Sequence, residues 1–143
     1  MIVRRAALDE IFPLRHAELR TGLPRETARF DGDDDPTTVH VGAFDPDGAV
    51  VGCTTLMRRA YEGGDGVQLR GMATRRDCAR TGIGTRVVGF AETLVRSHWE
   101  LDLLWCNART SAAGFYGRLG WRVVSAEFDV PGIGPHVRML RRL

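Results

Sequence analysis

Hydrophobic and polar positions change period several times along the chain, and each change marks an element. Ile2 to Arg5 is a short strand candidate, and from about Ala7 to Arg20 the residues Leu8, Ile11, Phe12, Leu14 and Leu19 share one broad helical side. Thr21-Gly22-Leu23-Pro24 stops that helix, with glycine just past the last turn and proline beyond it. Arg25 to Phe30 has room for one or two further turns. Asp31-Gly32-Asp33-Asp34-Asp35-Pro36 follows, and its clustered carboxylates repel one another and predict a solvated loop. From Thr38 the period becomes two. Val39–Phe44 and Ala49–Met57 flank Asp45-Pro46-Asp47-Gly48, a turn with a fixed first residue, an Asx side chain and a glycine free to take positive φ. Glu62-Gly63-Gly64-Asp65-Gly66 then leads into Val67–Thr74, so three successive antiparallel strands form a meander.

Residues 75–85 form a loop that opens a helix, in which Val87, Val88, Ala91, Leu94 and Val95 make one buried stripe. Beyond it the pattern predicts a strand at Leu101–Cys106, a short helix at Ser111–Leu119 and a strand at Trp121–Phe128. A final strand, Val137–Leu140, follows the turn Pro131-Gly132-Ile133-Gly134. A strand, helix, strand sequence needs a right-handed crossover, so the strands near 67–74 and 101–106 are expected to be parallel neighbours.

Composition narrows the picture. At 143 residues, 43% hydrophobic with eleven aromatics, the chain supports one core and is not disordered; no repeat or linker divides it, so 1–143 is expected to be one domain. No apolar run reaches the roughly 18–20 residues of a membrane span, and Met1-Ile2-Val3-Arg4-Arg5 runs directly into a patterned segment. A cytoplasmic setting without a membrane partner is the expectation. The net charge of +2 does not suggest a nucleic acid partner. All twenty basic residues are Arg, which excludes a lysine Schiff base and a P-loop lysine. Cys53, Cys78 and Cys106 are odd in number and widely spaced, so neither a disulfide framework nor a metal site is expected.

The chemistry is concentrated between Val67 and Val95. Gly82 and Gly84 straddle Ile83 at a helix start, where N–H groups lack intrahelical acceptors and the dipole favours an anion such as phosphate. The Rossmann fingerprint fails at Val87, and no Gly-Lys-Ser/Thr exists. Ala79-Arg80-Thr81-Gly82-Ile83-Gly84 resembles the Arg/Gln-x-x-Gly-x-Gly/Ala signature of the GNAT superfamily of acyl-coenzyme A dependent N-acetyltransferases. Trp105-Cys106-Asn107, Ala112, Phe115-Tyr116 and Gly120-Trp121 resemble that family's second motif, and the likeness covers roughly residues 38–140.

The resemblance implies an α/β fold: a mixed, mostly antiparallel twisted sheet of six or seven strands, about four helices and a central splayed parallel pair. It implies acetyl transfer from acetyl-CoA to a primary amine of a small molecule or peptide. Met72, Ala73 and Thr74 would pair with the pantetheine arm as an added strand. The amides from about Arg80 through Thr81, Gly82, Ile83 and Gly84 to Thr85 would hold the pyrophosphate, with Ala79, Asn107 and Tyr116 also on the coenzyme. Ala79 departs from the signature, where the family usually has Arg or Gln; Arg75, Arg76, Arg80 or Arg86 could compensate. A main-chain N–H at or near Met72 would polarise the thioester carbonyl, and Tyr116 would protonate the departing thiolate.

The base is open among His136, His40, His16, Glu127 and Asp129; His136 is favoured because Gly134-Pro135-His136 begins the last strand and is similar to the ending of some small bacterial members. Arg70 could hold a substrate carboxylate, and the Arg15-His16 and Arg20 face of the first helix, with His40, could line the acceptor pocket. Homodimers recur in the family. The alternative is an acyl-CoA binding or sensing module without catalysis, which the retained Tyr116 argues against.

Overall fold

The structure is a computed structural model and describes residues 1–143. Eight strands form one sheet: β1 (Ile2–Ala6), β2 (Val39–Phe44), β3 (Val50–Arg58), β4 (Val67–Thr74), β5 (Leu103–Arg109), β6 (Arg122–Val123), β7 (Phe128–Val130) and β8 (Gly134–Arg142). Their order is β1-β2-β3-β4-β5-β8-β6, with β7 also on β8. Three α-helices cover the sheet, α1 (Leu8–Leu19), α2 (Ile83–Ser97) and α3 (Ala113–Arg118), and short 3-10 turns occupy Arg25–Ala28, Arg76–Cys78 and Thr110–Ala112. Every pairing is antiparallel except β4 with β5. The meander and the parallel crossover therefore match the expected mixed sheet, with one or two more strands and one fewer α-helix. No helix is long and apolar enough to cross a membrane.

The main core lies between α2 and the sheet. Val87, Val88, Ala91 and Val95 meet Val41, Leu56, Val67 and Leu104 there, all nearly without solvent contact. Each such side chain contributes about 1.5–3 kcal/mol by leaving water. Gly52 lets α2 approach closely, since a Cβ there would lie 2.7 Å from Ile83 Cγ2. A smaller cluster seats Ile11 and Leu14 of α1 on Cys53 and Ala73.

Two expectations fail for tertiary reasons. The acidic loop is not wholly solvated: Asp33 is buried and holds the guanidinium of Arg15, itself without solvent exposure, at 2.7 and 3.1 Å. Arg15 thus belongs to the buried stripe of α1 rather than to a pocket-facing side. The strand predicted over Trp121–Phe128 is split into β6 and β7, because the Ser125 hydroxyl takes the Arg138 amide at 2.8 Å and interrupts the ladder. Non-local pairing with β8 also carries β5 to Arg109, beyond the expected end at Cys106.

Candidate active site

β4 and β5 share only two rungs, Val67↔Leu104 and Gln68↔Trp105, and then diverge. A cavity of about 250 Å³ fills the wedge, walled by β4 from Gln68 to Met72 and by β5 from Cys106 to Arg109. Leu19, Arg20 and Phe30 close one side, and Val130, Ile133 and His136 close another. The end of the first helix and the last hairpin thus both wall the gap.

On its other edge β4 carries an extra residue. Cys53 pairs with Ala73 and Thr55 with Arg70, so Gly71 and Met72 together face only Thr54. Gly71 takes φ +60°, and a Cβ there would lie 2.9 Å from Phe30 Cε2 and 3.1 Å from Arg15 Nε. A bulge of this kind bends the strand and turns main-chain groups away from the ladder. Thr54 Oγ1 donates to the Arg70 carbonyl at 2.9 Å and pins one side of it. The sequence reading did not find this bulge, although a glycine inside an otherwise regular strand is its usual signal.

At the mouth of the wedge, the amides of Arg80 through Thr85 have no acceptor within the chain; the first intrahelical bond of α2 runs from Arg86 to the Gly82 carbonyl at 3.1 Å. Arg80 and Gly82 take positive φ, +63° and +85°, which curls these amides toward one another. A Cβ on Gly82 would meet nothing within 4 Å, whereas one on Gly84 would lie 3.1 Å from Phe115 Cζ. Gly82 therefore serves the backbone turn and Gly84 the close seating of α2 against α3. Free N–H groups at a helix start, with no acidic residue in the first turn, suit the pyrophosphate of a nucleotide.

Tyr116 is 4% exposed and its ring packs on Phe115 and Trp121, yet it lines the cavity. Burial, with a smaller contribution from Cys106, holds its phenol well above the usual tyrosine range. Burial likewise pushes the Cys106 thiol up to about 12. His136 is buried and also lines the cavity; its Nδ1 lies 2.8 Å from the Gly134 carbonyl. A carbonyl only accepts, so Nδ1 is a protonated nitrogen in this contact, and Nε2 is the ring nitrogen left for other partners. Asn107 lines the cavity with Oδ1 accepting from Arg138 Nε at 3.0 Å.

Arg70 reaches the cavity and stacks over Phe30 at 4.5 Å. His16 and His40 do not line it. His16 Nε2 sits 2.8 Å from the Leu23 carbonyl. His40 is tied to Thr55 Oγ1 at 2.8 Å and to the Asp33 carbonyl at 3.1 Å. Glu127 and Asp129 are exposed and lie outside the cavity wall. Among the proposed bases only His136 shares the cavity with Tyr116. Phe30 and Arg109 line it without having been singled out from the sequence, since no local pattern distinguishes them.

A sheet split beside a bulge, a run of free amides after it and a tyrosine in the gap are the features that the resemblance to acyl-coenzyme A dependent transferases implies. The sequence matches the Acetyltransferase (GNAT) family over residues 5–121, and the chain belongs to that family. It is 28% identical, over 99% of its length and 95% of the relative's, to the uncharacterized N-acetyltransferase YitI of Bacillus subtilis (strain 168). Among solved structures, Escherichia coli ElaA superposes with a TM-score of 0.83 at 15% identity, covering 99% of this chain and 100% of that one. An aminoglycoside 6'-N-acetyltransferase complexed with coenzyme A gives 0.78 at 16% identity, covering 99% and 97%. The protein is an acyltransferase enzyme.

Proposed function

We propose that the enzyme moves an acetyl group from acetyl-CoA to a primary amine of a small molecule or peptide by direct attack within the wedge between β4 and β5. The observation that carries this reading is the coincidence of two-rung pairing, the Gly71–Met72 bulge and Tyr116 around one cavity. When bound, the coenzyme supplies the acetyl group as an activated thioester. Met72, Ala73 and Thr74 offer main-chain groups on the stretch of β4 that β5 does not pair, and the amides of Arg80 to Thr85 offer donors for its phosphates.

A main-chain N–H beside the bulge donates where negative charge develops on the carbonyl oxygen; such a donor is worth on the order of 10²–10³ in rate. His136 Nε2 accepts the amine's proton. Tyr116 Oη gives its proton to the departing sulfur. Its raised pKa keeps the phenol loaded at neutral and mildly alkaline pH.

Steady-state kinetics of Tyr116→Phe test this assignment. Turnover is expected to fall by about 10²–10⁴ while coenzyme A affinity stays within a few-fold. Unchanged turnover would remove Tyr116 from the reaction.

A further inference from the structure

The acceptor end of the cavity has one sign of charge. Arg20, Arg70 and Arg109 all line it, and no Asp or Glu does. The nearest buried carboxylate, Asp33, is consumed by Arg15 Nη1 and Nη2 and by the Phe30 amide at 2.7 Å. Phe30 is the hub: Arg15, Arg70 and Arg20 lie 4.1, 4.5 and 5.4 Å from its ring centroid. The ring's negative faces temper the crowding of cations without supplying an anion.

The three lining guanidiniums differ in how far the protein satisfies them. Arg20 donates to the Thr27 and Leu19 carbonyls at 3.3 and 3.0 Å, and Arg109 to the Leu19 carbonyl at 2.7 Å. Arg70 makes no hydrogen bond or ion pair through its side chain; its guanidinium lies over the Phe30 ring, and both residues line the cavity. Burial first, and then neighbouring cations, pull the Arg20 and Arg70 pKa values down, opposed at Arg70 by Asp33. A polycationic amine entering here would meet only like charge.

We infer that the acceptor is a compact amine that carries its own oxyanion, a carboxylate or a phosphate monoester, gripped by Arg70 with Arg109 and Arg20 beside it. The volume agrees, since about 250 Å³ is below the usual range for drug-sized ligands. A bidentate guanidinium–oxyanion contact would fix one end of the acceptor and leave its amine free to reach the bulge side of the wedge. This deepens the acetyl-transfer reading and rests on it.

The test compares matched amines under one assay: leucine with leucinamide, phosphoethanolamine with ethanolamine, and spermidine as the cationic control. The expected kcat/KM favours an anionic member over its neutral partner by roughly 10- to 100-fold, and which pair shows the larger ratio separates carboxylate from phosphate. Arg70→Gln is expected to erase about tenfold of that ratio through the amine KM, with the KM for acetyl-CoA within about twofold. Arg109→Gln provides a second variant should Arg70→Gln fold poorly, and Arg70→Glu is expected to shift preference toward spermidine. Equal or better use of leucinamide, ethanolamine and spermidine by the unsubstituted enzyme overturns the inference. Calorimetric titration supplies a readout independent of turnover: N-acetyl-leucine should bind the coenzyme A-loaded enzyme at least about tenfold more tightly than N-acetyl-leucinamide, or N-acetyl-phosphoethanolamine more tightly than N-acetyl-ethanolamine. Coenzyme A binding with no such preference in either pair overturns this inference alone. Absence of coenzyme A binding overturns the acetyl-transfer reading as well.

Discussion

At the scale of single residues, Gly71 is the position with the least freedom to change. Its φ of +60° lies in the left-handed region, and the space where a Cβ would sit is bounded by Phe30 and Arg15. Gly71→Ala is expected to cost about 1–3 kcal/mol in a denaturant titration and to depress acetyl transfer further than that loss explains, because it disturbs the bulge beside the reacting carbonyl. Neighbouring Cys53 and Cys106 have the opposite character. Burial pushes both thiols up to about 12, so they act as small apolar side chains in the core rather than as nucleophiles. Arg15 also shows why residue identity alone misleads. An arginine on an amphipathic helix reads as a solvent-facing charge, yet this one is buried because Asp33, Thr55 and the Ala28 carbonyl take the donors of its two terminal nitrogens.

At the scale of elements, the loop before α2 decides how firmly the coenzyme is held. Four arginines were candidates to replace the missing side chain at Ala79. Arg75 is committed to Asp77 at 2.7 Å and Arg76 lies 3.9 Å from Glu18, which leaves Arg80 and Arg86 without a carboxylate partner. Ala79 itself is exposed and extended, so Ala79→Arg is expected to tighten coenzyme A binding roughly three- to tenfold in a calorimetric titration; unaltered affinity would show that the amides and existing arginines already saturate the phosphates. The elements themselves were legible where the signal is local. Period-two alternation and turn residues bound β2 and β4, and the apolar stripe of α2 was read from its spacing. Illegible features depend on distant partners. Ser125 breaks a strand only because Arg138 lies opposite, β5 extends only because β8 runs alongside, and Asp33 leaves solvent only because α1 presents Arg15. For the cavity, the motif residues Met72, Asn107 and Tyr116 were found, while Phe30 and Arg109 belong to no motif.

At the scale of the whole molecule, one polar network ties the first helix, the acidic loop and the sheet together. Arg15 Nη2 donates to Thr55 Oγ1 at 2.6 Å, the Thr55 hydroxyl donates to His40 Nδ1, and His40 Nε2–H donates to the Asp33 carbonyl. Removing one partner of the enclosed Arg15–Asp33 pair would cost about 3–5 kcal/mol. This arrangement requires the neutral imidazole, and burial, opposed in part by Asp33, holds His40 below its ordinary 6.5. Between that lowered value and 6.5 the unfolded chain binds more protons than the folded one. The stability contributed by the neutral ring is therefore complete above pH 6.5 and lost as the pH falls through the lowered value. Urea midpoints measured from pH 8 to 5 should decline more steeply for the natural sequence than for His40→Gln; parallel curves would exclude His40 as the titrating group. The two-rung join of β4 and β5 has a mechanical meaning as well. It is a seam, with β1 to β4 on one side and β5 to β8 on the other, stitched by two rungs and bridged by α2. Along the unstitched length the facing edges of β4 and β5 have no strand partner in each other, so whatever threads the slot also fastens the two halves; cohesion of the fold and occupancy of the slot rise together.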